Sequence, residues 1–176
     1  MSLFMLGRDS RVQSPLKLGD ISGYFDSGMD IELESGDLRA AAFRMDVETV
    51  YEYVDFIFFD RSDTAKHRGY GRYLAISDKL QSVFSKYNPQ ILFKPFAVNN
   101  AKQSRQDVYW LCKVEPAVQV DTLDGDLYQQ LLPYRKHRII RVDFQNEIRF
   151  VVTLEVVESM LRRGVQGVTV KNLKGT

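Results

Sequence analysis

YLAISDKLQSVFSKYNPQILF, residues 73–93, and FVVTLEVVESMLRRGVQGVTV, residues 150–170, share one order of parts: an apolar run, a hydroxyl residue, a helical stretch, a breaker and a second apolar run. In the first, Ser77 is placed to accept from the free amides of a following helix, and Asp78 suits the positive end of its dipole. Leu80, Val83, Phe84 and Tyr87 share one helix face, and Asn88-Pro89 ends it. In the second, Thr153 is the expected cap and Glu155 faces the dipole. Val156, Val157, Met160 and Leu161 form the expected buried stripe, Arg162 and Arg163 sit at the negative end, and Gly164 is the left-handed stop. Ser77 matches Thr153, Leu80 matches Val156 and Phe84 matches Met160. The pattern occurs twice only, with different elements between, so it is no solenoid period. Each polar residue in it has a capping or dipole duty, so none requires a catalytic one.

Outward from these units, RIIRVDF and ILFKPFAV read as strands. DVYWLCKVEPAVQVD reads as one strand interrupted at Pro116, which places that position at an edge or bulge. LDGDLYQQLLP is a short helix capped by Asp124 or Asp126 and stopped by Pro133. DVETVYEYVDFIFFD carries Val47, Val50, Tyr51, Val54 and Phe58 at helical spacing and predicts a short helix running into an extended piece. Gly19, Gly23, Gly28 and Gly36 leave room only for short strands or loops near the start, including a strand turning at Ser35-Gly36-Asp37. The pattern predicts an α+β fold: one domain over 1–176, a mixed or mainly antiparallel sheet, and three to four short helices packed on it. The last helix is expected to dock Val156 and Met160 on that sheet.

A chain of 176 residues is long enough to bury roughly 70% of its unfolded surface in one core. Mean hydropathy is −0.27, and no window approaches the ~18 continuous apolar residues of a membrane helix. MSLFMLGRDS lacks the basic leader and long apolar run of a secretory signal. The lone cysteine, Cys112, fits a reducing, cytoplasmic setting. The formal net charge of +1 conceals a division: residues 20–60 hold eleven acids against Arg39 and Arg44, and residues 61–105 hold nine bases against Asp63 and Asp78.

Chemistry-bearing patterns are weak. His67 and His137 lie far apart with no ligand-spaced partner, so no metal is expected. Gly69-Tyr70-Gly71 precedes a strand instead of joining a strand to a helix, which is the wrong geometry for a phosphate cradle. Cys112 lies in an apolar run, where burial makes a poor nucleophile. DTLDGD has acids at the wrong offsets for a calcium loop. Asp143 and Glu147 are the carboxylate pair nearest to acid–base spacing. RSDTAKHRGYGRY interleaves bases with Tyr70 and Tyr73 as a nucleic-acid contact would, but the acidic block opposes a polyanion. No catalytic residue, cofactor or metal is assigned.

YLAISDKLQSVF, ILFKPFAV, VYWLCKVEPAVQVDTLD with Asp121, and RFVVTLEVVESMLRRGVQGVTV follow one another in an order that resembles immunity protein family eleven of the bacterial polymorphic-toxin systems, formerly a domain of unknown function. The resemblance spans residues 70–171 and leaves the acidic part, 1–60, outside. It implies a cytoplasmic binding protein that neutralises a cognate toxin; hydropathy predicts no membrane partner, the acidic block disfavours nucleic acid, and a homodimer stays open. Asp26, Asp30, Glu32, Glu34 and Asp37 are the expected toxin-facing residues, since a carboxylate-rich surface complements a basic cleft. The competing expectation is an uncharacterised enzyme or nucleic-acid-binding domain, recognised by a deep cleft with shifted titratable groups.

Overall fold

A computed structural model describes residues 2–16, 43–57, 73–115, 117–123, 126–144 and 147–173. Its strands are β1 (Leu3–Arg8), β2 (Phe43–Asp46), β3 (Phe56–Ile57), β4 (Tyr73–Ser77), β5 (Leu92–Asn100), β6 (Arg105–Lys113), β7 (Ala117–Gln119), β8 (Ile139–Phe144), β9 (Glu147–Thr153) and β10 (Val168–Leu173). The helices are α1 (Asp78–Tyr87), α2 (Leu127–Leu131) and α3 (Leu154–Arg162), with a 3₁₀ turn at Leu132–Tyr134. The fold is α+β, with two antiparallel-dominated sheets where the sequence predicts one. Sheet I runs β10-β1-β9-β8-β7 and sheet II runs β2-β5-β6-β4-β3. Among the described strands, only β2–β5 and β7–β8 pair in parallel.

Three apolar clusters follow from the alternation of side chains along the strands. The central one joins the inner faces of both sheets, through Leu74, Ile76 and Cys112 on one and Leu6, Phe150 and Val152 on the other, with both long helices. Leu80, Val83 and Phe84 enter it from α1, and Val156, Val157 and Met160 from α3. The outer face of sheet II is covered by Leu16, Val47, Tyr51 and Val54. The outer face of sheet I is covered by Leu127 and Leu131 of α2. The described parts of residues 1–60 therefore belong to the same core as residues 73–173.

Several expectations need correction. Leu161 lies off the buried stripe, 69% exposed. Residues 47–55 form no helix: the Tyr51 amide donates to Gln103 Oε1 and the Glu52 amide to the Ser14 carbonyl, so the hydrogen bonds a helix would use internally are made elsewhere. Val50, part of the proposed helical stripe, is 63% exposed. The piece around Pro116 is no single bulged strand, because β6 belongs to sheet II and β7 to sheet I. α2 ends at Leu131, and Pro133 lies inside the tighter turn that follows. Asp126 takes the cap position of α2 without a side-chain bond. Asp124, Pro116, Phe58 and the turn at Ser35-Gly36-Asp37 lie outside the described residues.

Strand β1 was not foreseen. It fills the place between β9 and β10, antiparallel to both, with Leu3 opposite Thr153 on one side and Leu173 on the other. No helix among the described residues is long and apolar enough to cross a membrane.

Candidate functional site

A buried polar arrangement centres on Asp55, an acid in the apolar run YVDFIF just before β3. Its side chain is fully buried, and an ionised carboxylate there requires partners. It has four. Oδ1 accepts from Ser77 Oγ at 2.6 Å and Tyr53 Oη at 3.0 Å. Oδ2 accepts from the Gln166 amide at 2.7 Å and Lys79 Nζ at 3.3 Å. The backbone repeats the linkage: the Asp55 amide donates to the Gln166 carbonyl, and the Ser77 amide donates to the Asp55 carbonyl. Lys79 Nζ also donates to the Gly164 carbonyl at 3.2 Å.

Asp55 therefore joins β4 and the start of α1, in sheet II, to the turn that leads from α3 into sheet I. The turn depends on glycine at two places, Gly164 at φ +59 and Gly167 at φ +78. At Gly167 an added Cβ would lie 2.4 Å from Val54 Cγ1, so both conformation and space exclude a side chain. Ser77 does not cap α1 as expected; its hydroxyl donates to Asp55 instead. Thr153 likewise leaves α3 uncapped and donates to Glu155 Oε2 at 2.6 Å.

Beside this centre a second group holds the 49–55 segment to the β5–β6 hairpin. Tyr51 Oη donates to Asp107 Oδ2 at 2.7 Å, and Arg105 Nε donates to the same oxygen at 2.6 Å while its guanidinium lies over the rings of Tyr51 and Tyr53. Gln103 closes the tip, accepting from the Tyr51 amide and donating to the Tyr51 carbonyl. Tyr109 Oη donates to the Val54 carbonyl at 2.9 Å. Burial pushes the Tyr53 hydroxyl up to about 12, against the Ser77 hydrogen bond and with the help of the Asp55 charge. Burial first raises Tyr51 and Tyr109 further, followed for Tyr51 by its hydrogen bond to Asp107 and for Tyr109 by the Asp107 charge.

A serine, a carboxylate, a lysine and a tyrosine within hydrogen-bond reach are the ingredients of nucleophilic catalysis. The geometry spends them differently. Ser77 is buried and donates to a carboxylate already shared with an ammonium and two other donors. The same bonds link the two sheets at one point.

Asp143, of the suspected carboxylate pair, accepts two bonds from Arg141 at 2.8 Å and one from Gln119. Glu147 faces Phe144 across the β8–β9 ladder, and its side chain is outside the described set. Cys112 is buried in the central core, and burial raises its thiol well above the usual value. No group of three or more metal-ligating side chains occurs among the described residues. Asp26, Asp30, Glu32, Glu34 and Asp37, as well as His67, Tyr70 and the glycines beside it, lie outside the described residues. Of the acidic block that is described, Asp55 is internal and Glu52 accepts from the Gln13 and Ser14 amides. Sequence reasoning missed Asp55. The signal available was an acid flanked on both sides by residues destined for the core.

Compared with known proteins, the chain matches no protein-family model and no curated protein.

Proposed function

We propose that the protein is a cytoplasmic immunity protein that binds and neutralises a cognate bacterial toxin, recognising it by surface shape and charge. The observation that carries this reading is the Asp55 cluster: the group of side chains best equipped for catalysis is consumed in joining the two sheets. Two sequence features add to it. The ordered motifs over residues 70–171 resemble an immunity family, and the acids Asp26, Asp30, Glu32, Glu34 and Asp37 offer carboxylates that complement a basic cleft.

The test begins with affinity capture from a lysate of the source strain and continues with co-expression beside the captured protein. A partner that kills when expressed alone and is harmless when co-expressed is the expected result. Reversing the five acids should slow association by about an order of magnitude or more at low salt, because charge acts mainly on encounter. A captured partner that is not toxic, or a rate indifferent to the reversal, removes the respective half of the reading.

A further inference from the structure

The two segments that share an order of parts also share their surroundings. β4 and β5 both pair antiparallel with β6, so they run parallel to each other with β6 between them. β9 and β10 stand in the same relation to β1. β3 flanks β4 as β8 flanks β9. The Ser77 amide donates to the Asp55 carbonyl, and the Thr153 amide to the Arg138 carbonyl, at the same step of each ladder.

Aligned on Ser77 and Thr153, the positions agree in the direction they face. Phe56 and Ile139, Ile76 and Val152, Trp110 and Phe4, Cys112 and Leu6, and Ile91 and Val168 all meet in the central core. Ile57, Ala75, Tyr109 and Leu111 line the outer face of sheet II. Their counterparts Ile140, Val151, Leu3 and Met5 line the outer face of sheet I.

We infer that the chain carries one β-β-α-β-β unit twice, the second time opened between its last two strands, so that β1 is a transplanted final strand closing a slot left between β9 and β10. In the first unit β6 follows β5 through a four-residue turn, so closure is local. In the second, β1 reaches its partners from the opposite end of the chain. Until it arrives, β9 and β10 have no ladder partner on their facing edges, and the places of Leu3 and Leu6 in two cores are empty. Contacts of such sequence separation form late. The N-terminal strand is thus a latch that completes the second unit last.

The test uses the full chain. Pulsed hydrogen exchange during refolding should show amides of β4 and β6 protected about 10-fold sooner than those of β9 and β10. A permutant joining Leu173 to Leu3 by a five-residue loop, with new ends at Pro116, should bring the two units within about 3-fold of each other. Simultaneous protection in the natural order, or a permutant that keeps the full lag, overturns the inference. So does a permutant that fails to fold while a chain merely nicked at Pro116 folds. If both fail, the order of protection in the uncut chain decides alone.

Discussion

At equivalent places in the two units stands an ion pair of opposite polarity. Before β3 the acid lies on the strand side and the base on the helix, Asp55 with Lys79 at 3.3 Å. Before β8 the base lies on the strand side and the acid on the helix, Arg138 with Glu155 at 2.9 Å. The neighbouring hydroxyl follows the acid in each case: Ser77 donates to Asp55, and Thr153 to Glu155. Environment separates them more than polarity does. The Asp55 side chain has no exposure, whereas Arg138 and Glu155 are each about half exposed, at 47% and 52%. The longer pair is the more consequential, because a buried charge left without partners costs far more than a solvated one.

The most severe way to break this contrast is Asp55→Ala, which takes the shared acceptor from Ser77, Tyr53 and the Gln166 amide together and leaves Lys79 with the Gly164 carbonyl. A loss of about 3–5 kcal/mol is expected in denaturant unfolding. Gly167→Ala attacks the same junction through the backbone, adding a left-handed penalty to overlap with Val54; roughly 2–4 kcal/mol should be lost.

Tyr53→Phe removes one donor from the buried carboxylate and should cost about 1–2 kcal/mol. Its titration sharpens the same point. The folded pKa lies above the ordinary tyrosine value, so its stabilising share is present below the unfolded pKa and disappears as pH rises through about 12. The phenolate absorbance that wild type shows in excess of Tyr53→Phe should therefore appear together with alkaline unfolding, not before it.

The exposed junction should respond least. Arg138→Ala is expected to cost under about 1 kcal/mol. The Thr153 hydroxyl first, and then the Glu155 backbone and Arg138, hold Glu155 below the usual carboxylate range against the opposing effect of burial. That depressed pKa makes its share complete above the ordinary glutamate value of 4.5 and loses it as pH falls through the lower folded value. Acid titration of wild type against Glu155→Gln checks this: the two curves should converge at low pH, and curves that stay parallel would remove Glu155 from the account.

The same contrast marks how far the residues alone could be read. β4, α1, β5, β8, β9, α3 and β10 were legible because period, breaker and apolar face agree within each short window. β1 was not, since its buried residues Leu3 and Leu6 face opposite cores and its partners lie at the far end of the chain. The hydroxyls of Ser77 and Thr153 were placed at the right residues with the wrong partners. A cap is a local inference, whereas in both cases the hydroxyl donates to a carboxylate and accepts from no helix amide. The same local reasoning put a helix over residues 47–55, where Gln103 and Ser14 supply the hydrogen bonds from a distance.

Whether the buried Ser77 and Asp55, with the partly exposed Lys79, serve architecture or reaction is decided most directly by Ser77→Ala, measured in the co-expression assay that tests the proposed function, with folded protein quantified alongside. Protection per folded molecule should equal wild type, although the variant unfolds more easily. A variant that accumulates fully folded and yet fails to protect would give Ser77 a chemical role and contradict the account.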